Sequence, residues 1–196
     1  MGKNKHIAAI ESLFRRSPIV SSSSIKKIIK KDKKSSTYYK QVIRNLIAKD
    51  RIKKLAKGYY TIHNNISLAV FCFKPAYFGL QDALSFHDLW EQESIPVILT
   101  SRKIRPGART MMNSRILIRR IDKKYFFGLE YKKEGDFFLP YSDIEKTFID
   151  MVYFNERLSQ EAIINIKKKA DRKKINLYLK KYPKKFQKRA LSLLEN

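Results

Sequence analysis

Apolar residues in the first fifty positions recur three and four residues apart, which predicts three amphipathic helices in succession. The first helix ends before Pro18, and one of the serines at 21–24 caps the second helix. Ser35 or Ser36 caps the third helix, which we expect to run to about Lys49. Its apolar face holds Tyr39, Val42, Ile43, Leu46 and Ile47.

The segment after the third helix has the pattern of a β-hairpin. Residues 51–55 and 59–62 are strand-like, and Gly58 in the turn between them can adopt a positive φ at low cost. Three helices followed by a two-stranded ribbon are typical of a winged helix-turn-helix, with Lys57 at the tip of the wing. We therefore predict a DNA-binding domain over residues 1–66.

The following segment, residues 67–155, mixes strand and helix patterns and predicts an α+β domain. The predicted strands are 66–73, 95–100, 116–118 and 125–127, and the predicted helices are 79–90 and one that opens near Tyr141. Ser142 followed three residues later by Glu145 has the pattern of a capping box.

Residues 156–196 predict a basic helical tail of two or three amphipathic helices. The apolar side of the tail would comprise Ile163, Ile164, Ile166, Leu177, Leu179, Phe186, Leu191 and Leu194. The predicted fold class is thus α+β, with an N-terminal winged helix-turn-helix, a mixed α/β C-terminal domain and this tail.

Charge adds a class of partner to the predicted fold. The chain of 196 residues has 43 Lys and Arg against 18 Asp and Glu, a formal net charge of +25. The net charge is +14 over residues 1–66, +2 over 67–150 and +9 over 151–196. Two basic ends favour a polyanionic partner, above all nucleic acid. A genome that favours Lys and Ile is the alternative explanation of this composition.

The outward face of the third helix carries side chains suited to reading bases. In a winged helix this face enters the major groove, where Arg44 can pair with guanine and Gln41 with adenine. The lysines suit phosphates, which position a protein without specifying a sequence. The alternative is an ordinary solvated helix face. The predicted DNA-binding residues are Lys33, Lys34, Ser36, Thr37, Lys40, Gln41, Arg44, Asn45, Lys53, Lys54 and Lys57.

The basic tail predicts a second phosphate contact, with the backbone of DNA or of an RNA. A solvated helix face is the alternative, and a membrane-surface helix is disfavoured because the basic face lacks a strong Trp or Phe anchor opposite it. The residues of this second contact are Lys167, Lys168, Lys169, Arg172, Lys173 and Lys174.

The chain offers little that predicts catalysis. One cysteine, Cys72 in an apolar segment, and three histidines far apart in sequence argue against a metal site, and we expect no catalytic residue, metal or cofactor. A metal-dependent nuclease is the alternative, because Asp122 followed by Glu130-Tyr131-Lys132 loosely resembles a carboxylate pattern that holds Mg²⁺. The longest strictly apolar run, residues 68–73, is too short to span a bilayer, so we expect a cytoplasmic protein without a membrane partner.

Several short motifs, taken in order, resemble the AbiEi-type antitoxin and transcriptional-regulator family of type IV toxin–antitoxin systems. The hairpin ends in KGYYTI, whose Gly58 and Tyr60 match the Gly-x-Tyr of that family. The next helix, in YFGLQDALSFHDL, matches in part at Ala83, Leu84 and His87, with Asp82 where the family favours Ser. The segment LPYSDIEKTFIDMV matches the last motif at Ser142, Glu145, Thr147 and Asp150, with Lys146 in an Arg position.

This resemblance covers about residues 1–155 and implies a function. Such a protein binds the promoter of its own operon as a repressor, and it counters a nucleotidyltransferase-type toxin through its C-terminal part, with or without direct contact. Its partner would be double-stranded operator DNA, with two copies on an inverted repeat. The alternatives are a non-catalytic regulator without a toxin partner and a nucleic-acid scaffold without sequence preference.

Overall fold

The computed structural model describes residues 2–30, 37–92 and 94–195, and the chain divides into two compact units. The N-terminal unit extends to Cys72 and includes Met111–Ser114, whereas the C-terminal unit contains Phe73–Thr110 and continues from Arg115. Helices accompany a separate β-sheet in each unit. The predicted α+β class is therefore confirmed.

The N-terminal unit combines three helices with a small antiparallel sheet. Its helices are α1 (Gly2–Arg16), α2 (Ser22–Lys30) and α3 (Tyr38–Ala48). Its strands are β1 (Val20–Ser21), β2 (Lys53–Ala56) and β3 (Tyr59–Thr61), in the order β1-β3-β2. A 3₁₀ helix, Ile66–Phe73, follows the sheet.

One apolar core joins these elements, because each helix directs its apolar stripe inward. The core residues are Ile10, Phe14, Val20, Ile25, Ile29, Ile43, Leu46 and Ile52. The Oγ atom of Ser21 accepts a hydrogen bond from the backbone N–H of Ser24 at 3.1 Å, so the serine run caps α2 as predicted. The predicted cap of α3, at Ser35 or Ser36, lies outside the described residues. The three predicted helices and the predicted hairpin are confirmed.

The C-terminal unit contains a six-stranded mixed sheet, except for Met111 and Ser114 at the ends of two strands. Its strands are β4 (Ala76–Phe78), β5 (Val97–Thr100), β6 (Gly107–Met111), β7 (Ser114–Arg120), β8 (Leu129–Glu134) and β9 (Phe137–Ser142). Their order is β6-β7-β5-β4-β9-β8. The pairs β4–β9 and β5–β7 are parallel, and the pairs β4–β5 and β8–β9 are antiparallel.

Five helices accompany this sheet. They are α4 (Gln81–Phe86), α5 (Ile144–Tyr153), α6 (Gln160–Lys169), α7 (Arg172–Leu179) and α8 (Lys184–Glu195), with a 3₁₀ helix at Lys123–Tyr125. Helix α5 is buried over most of its length and contributes Phe148, Ile149 and Met151 to the core. The three helices of the tail pack against the same core through Ile166, Leu179 and Leu194. The predicted helical tail is therefore a folded part of this unit.

Two predicted strands are wrong. Residues 66–73 form a 3₁₀ helix, because a continuous apolar run has no period that separates a strand from a buried helix. Residues 125–127 are not a strand, since Tyr125 ends the 3₁₀ helix that Asp122 caps. The predicted helix over 79–90 is shorter and comprises Gln81–Phe86.

The predicted capping box at the start of α5 is also wrong. Asp143 caps the helix, and its Oδ1 atom accepts a hydrogen bond from the backbone N–H of Lys146 at 2.7 Å. The Oγ atom of Ser142 lies instead 2.7 Å from Oγ1 of Thr147. Glu145 accepts a hydrogen bond at 2.8 Å from the backbone N–H of Asp171, in the tail. The carboxylate of Glu145 therefore joins α7 to α5.

The predicted apolar side of the tail holds only in part. Ile166, Leu179 and Leu194 are buried, but Ile164 and Leu177 are 49% and 59% exposed. Leu177 lies two positions after Ile175, which is buried, so the two side chains point to opposite sides of α7. Among the described residues no helix is long and apolar enough to cross a membrane.

Candidate nucleic-acid interface

Helix α3 separates an apolar inner face from a polar outer face. Ile43 and Leu46 are buried in the core of the N-terminal unit. The side chains predicted to contact DNA from this helix are all exposed, namely Lys40, Gln41, Arg44 and Asn45. Thr37, which immediately precedes the helix, is exposed as well. An open hollow on this face is lined by Thr37, Tyr38, Lys40, Gln41 and Arg44.

The outer face of α3 has little internal bonding that would hold its charges. The Nε2 atom of Gln41 donates a hydrogen bond to Oδ1 of Asn45, one turn later, at 3.1 Å. Within the described part of the chain, no carboxylate forms an ion pair with Lys40 or Arg44. Both cations are therefore available to a ligand that approaches the helix from solvent.

The tyrosines near α3 pack against the protein core. Tyr38, Tyr39 and Tyr60 are half-buried and lie against the core of the N-terminal unit. Burial raises the pKa of Tyr60, with a smaller contribution from Tyr39. The ring of Tyr39 lies 5.4 Å from Nζ of Lys26, on α2. These contacts indicate a structural role for the rings.

The β2–β3 hairpin is held to the start of α2. Gly58 has a φ of +79°, and its carbonyl accepts a hydrogen bond from the backbone N–H of Ser22 at 2.7 Å. A Cβ atom at this position would lie 3.3 Å from Oγ of Ser22, so glycine suits both the backbone conformation and the space. A bulge between Lys54 and Ala56 interrupts the ladder, while Leu55 stays buried.

This anchoring fixes the predicted wing lysines at the surface. Lys54 and Lys57 are exposed, and Lys53 is half-buried. Lys57 follows β2 at the turn, next to Gly58. Lys33, Lys34 and Ser36, the remaining predicted DNA-binding residues, lie outside the described residues. The α3 face and the two exposed hairpin lysines thus belong to the same unit.

The six predicted phosphate contacts of the tail separate into two groups. Lys167, Lys168, Arg172 and Lys173 are exposed. Lys169 is exposed too, but its Nζ atom donates to the backbone carbonyls of His87 and Asp88, at 3.0 Å each, at the end of α4. Lys174 pairs with Glu145 at 2.8 Å and with Asp143 at 3.2 Å. The tail therefore uses Lys169 and Lys174 for its own packing.

The contacts of Lys174 tie α7 to the first turn of α5. Burial acts to lower the pKa of Lys174, but the hydrogen bonds with Glu145 and Asp143 outweigh it and raise that pKa. Tyr178 donates a hydrogen bond to Oδ2 of Asp143 at 2.8 Å. Burial and this hydrogen bond raise the pKa of Tyr178 to about 12. Helix α7 is thus fixed by several polar contacts in addition to its apolar face.

The residues of the last family-like motif form internal contacts. Lys146 and Asp150 are fully buried and form an ion pair one helical turn apart. Tyr77 donates a hydrogen bond to Oδ2 of Asp150 at 2.7 Å, and the Nζ atom of Lys146 lies 3.3 Å from the hydroxyl of Tyr77. Each polar group of this cluster has a partner within it, so these side chains connect α5 to β4.

The residues of the nuclease alternative have separate local roles. The Oδ1 atom of Asp122 accepts the backbone N–H of Lys124 at 3.2 Å. Glu130 lies 3.4 Å from Nζ of Lys132 and 3.8 Å from Nε2 of His87. Over the described ranges, no three His, Cys, Asp or Glu side chains are grouped so that they could hold a metal ion. Burial raises the pKa of Cys72 to about 12, which suits an unreactive core thiol.

Four further cations of the tail were not included in the predicted second phosphate contact. Lys180, Lys184, Lys185 and Lys188 are exposed, and within the described residues no carboxylate pairs with them. A signal for one of them was present in the sequence. Lys180 lies seven residues after Lys173, which is two turns of one helix and places both side chains on the same face.

Comparisons with known proteins inform the fold. No protein-family model matches the chain, and no curated protein matches it in sequence. The chain is similar in structure to the RV2827C protein from Mycobacterium tuberculosis, known from a crystal structure, with a TM-score of 0.61 and 12% sequence identity. The likeness covers 95% of this chain and 75% of that one. At this identity the likeness supports a shared fold.

Proposed function

We propose that the protein is a sequence-specific DNA-binding repressor. The observation that carries this proposal is the outer face of α3, where Lys40, Gln41, Arg44 and Asn45 are all exposed above a buried apolar face. Arginine and glutamine are the side chains that pair in bidentate fashion with guanine and adenine in the major groove. This face offers hydrogen-bonding groups for base edges beside a cation for phosphates.

Our proposal interprets the element order of the N-terminal unit, three helices followed by a hairpin, as a winged helix-turn-helix. In that arrangement the last helix lies in the major groove, and the hairpin that follows it contacts the DNA backbone. Helix α3 and the β2–β3 hairpin take these two roles in our proposal, with Lys54 and Lys57 on phosphates. The net charge of +14 over residues 1–66 supports a polyanionic partner.

The antitoxin role rests on the resemblance to the AbiEi-type family. In our proposal the protein represses its own operon and counters a nucleotidyltransferase-type toxin through the C-terminal unit. Repression and toxin antagonism are separate activities, and the first does not depend on the second. A regulator without a toxin partner is the second candidate function.

A transcriptional reporter tests repression in cells. The region upstream of the gene is fused to a reporter, and the full chain is expressed in trans. We expect repression by the parent and its loss with Arg44→Ala, whereas Arg16→Ala, a matched exposed arginine at the end of α1, should repress normally. Equal reporter output with and without the protein would contradict the repressor proposal.

Co-expression with a nucleotidyltransferase-type toxin of a type IV toxin–antitoxin system tests the antitoxin role separately. We expect the parent to restore growth, and Arg44→Ala should restore it equally, because the substitution removes a base-reading group of the N-terminal unit. Growth that the parent fails to restore would favour a regulator without a toxin partner.

A further inference from the structure

The tail of the C-terminal unit presents a second cationic surface that is built into the fold. Over residues 157–196 the net charge is +10. We name eight exposed cations of this segment the tail surface. They are Lys167, Lys168, Arg172, Lys173, Lys180, Lys184, Lys185 and Lys188.

The tail surface is held in place by contacts that use other cations of the same segment. Lys169 caps the end of α4, Lys174 pairs with Asp143 and Glu145, and Arg189 donates to the carbonyl of Val152 at 2.5 Å. Since the helices are fixed, a ligand does not have to order the backbone on binding.

The eight cations lie in two groups at the two ends of α7. Lys167 and Lys168 at the end of α6 precede Arg172 and Lys173 at the start of α7. Lys180, at the end of α7, precedes the three lysines of α8. Lys173 and Lys180 are seven residues apart on one face, which corresponds to about 10 Å along the helix. Asn176 and Leu177, which lie between them on that face, are exposed.

The charge of the tail surface has little internal compensation. Among the described residues none of the eight cations takes part in an ion pair. Asp171, the nearest carboxylate in sequence, accepts the backbone N–H groups of Lys173 and Lys174 as the cap of α7. Like charges held close together repel one another, and a polyanion relieves that repulsion.

We propose that the tail surface binds the phosphate backbone of B-form duplex DNA as a second contact, in addition to the proposed contact of the α3 face. This inference rests on the proposed function and extends it to the C-terminal unit. Lys173 and Lys180, one from each group and about 10 Å apart along α7, suit phosphates on either side of a major groove about 12 Å wide. The major groove of an A-form RNA duplex is narrow and does not offer this spacing.

A surface variant of the full chain tests the proposal. Lys168→Ala, Lys173→Ala, Lys180→Ala and Lys184→Ala are combined, and binding to the upstream duplex and to a random duplex is measured between 50 and 200 mM salt. The slope of log K against log salt is negative, and loss of four phosphate contacts makes it shallower by about 3 to 4. The parent should therefore lose about 100-fold more affinity than the variant over this range. The ratio of the affinities for the upstream and random duplexes should not change.

A matched control removes the same charge from scattered exposed positions of the C-terminal unit. Lys103→Ala, Arg105→Ala, Lys123→Ala and Lys133→Ala serve for this purpose, and the combined variant should keep the parental slope. Arginine at the four tail positions should also keep it, which separates loss of charge from loss of folding.

Three outcomes would overturn the proposal. The tail variant could keep the parental slope on both duplexes, or the scattered control could lower the slope equally. The tail variant could also lose affinity for an RNA hairpin while its DNA binding stays unchanged, which would assign the surface to RNA. Failure of the proposed function gives a different result, because a parent without sequence preference still shows the tail effect on the random duplex.

Discussion

Lys146 and Asp150, one turn apart on α5, form an ion pair that no solvent reaches. Tyr77 on β4 donates a hydrogen bond to the same carboxylate, so the pair links α5 to the six-stranded sheet. Burial lowers the pKa of Lys146, while Asp150 acts in the opposite direction. Because a buried charge is costly without its partner, each member of this pair depends on the other.

Removal of one partner should therefore destabilise the C-terminal unit strongly. We expect Lys146→Met to lower the free energy of unfolding by about 3–5 kcal/mol, since it leaves Asp150 buried and unpaired. The double variant Lys146→Met/Asp150→Leu should recover part of that loss, because it removes both charges. Lys123→Met, at an exposed site, should change stability by less than about 0.5 kcal/mol. Urea unfolding checks all three, and equal losses in the single and double variants would refute the coupling.

Asp82 should make stability depend on pH. Its Oδ2 atom accepts the backbone N–H of Val97 at 3.2 Å. Burial raises the pKa of Asp82 to about 7, and Glu134 adds to the rise, although the hydrogen bond with Val97 opposes it. Between about pH 4 and pH 7 the folded chain therefore holds a proton that the unfolded chain has released, and stability falls as the pH rises.

Asp82→Asn removes this titration and retains an acceptor for Val97. Relative to the parent, the variant should gain stability as the pH rises from about 4 to 7, by up to about 1.4 kcal/mol per pH unit. Above about pH 7 the difference should level off, because the parent has then lost the proton in both states. Urea unfolding at several pH values checks this, and a difference that is independent of pH would show that Asp82 titrates normally.

Arg44 and Gln41 should specify different bases. Arg44→Ala should weaken binding to the upstream site by about 1–3 kcal/mol and relax the preference at a guanine, and Gln41→Ala should do so at an adenine. A panel of duplexes with single base-pair changes measures this. The exposed Arg16→Ala serves as the control, and its affinities across the panel should match those of the parent. If Arg44→Ala shows the same base preferences as the parent, α3 does not read the bases.

Lys57 should contribute affinity without specificity. Lys57→Ala should weaken binding to every duplex alike and reduce the slope of log K against log salt by about one, because it removes one phosphate contact. Salt titrations with the upstream and random duplexes check both expectations. A change in the ratio between the duplexes would instead assign Lys57 a role at base edges.

Local patterns were sufficient for the elements of the proposed DNA-reading face. The spacing of Ile43 and Leu46 indicated the inward side of α3, and the helix ends at Ala48, close to the expected end at Lys49. Gly58 marked the turn of the hairpin, where the structure has a φ of +79°. Each of these signals depends on neighbours in sequence, which is why the pattern alone could report it.

Contacts with residues that are distant in sequence could not be predicted from the sequence pattern. Lys169 and Lys174 looked like the lysines beside them, and their partners lie on α4 and α5, far away in sequence. Lys146 is fully buried although lysine is almost never so, and only its neighbours in space explain this. The apolar run at 66–73 fits a strand or a buried helix equally well, and packing decides between them.

Equilibrium binding of the full chain to its own upstream DNA tests the central claim most directly. The upstream duplex competes with a scrambled duplex of equal length and composition, over a salt series that includes the physiological range. The account predicts a preference above about a hundredfold for the upstream sequence that persists at physiological salt. Equal affinity for both duplexes that falls steeply as the salt rises would contradict it. The charge of +25 would then produce only non-specific attraction to phosphate.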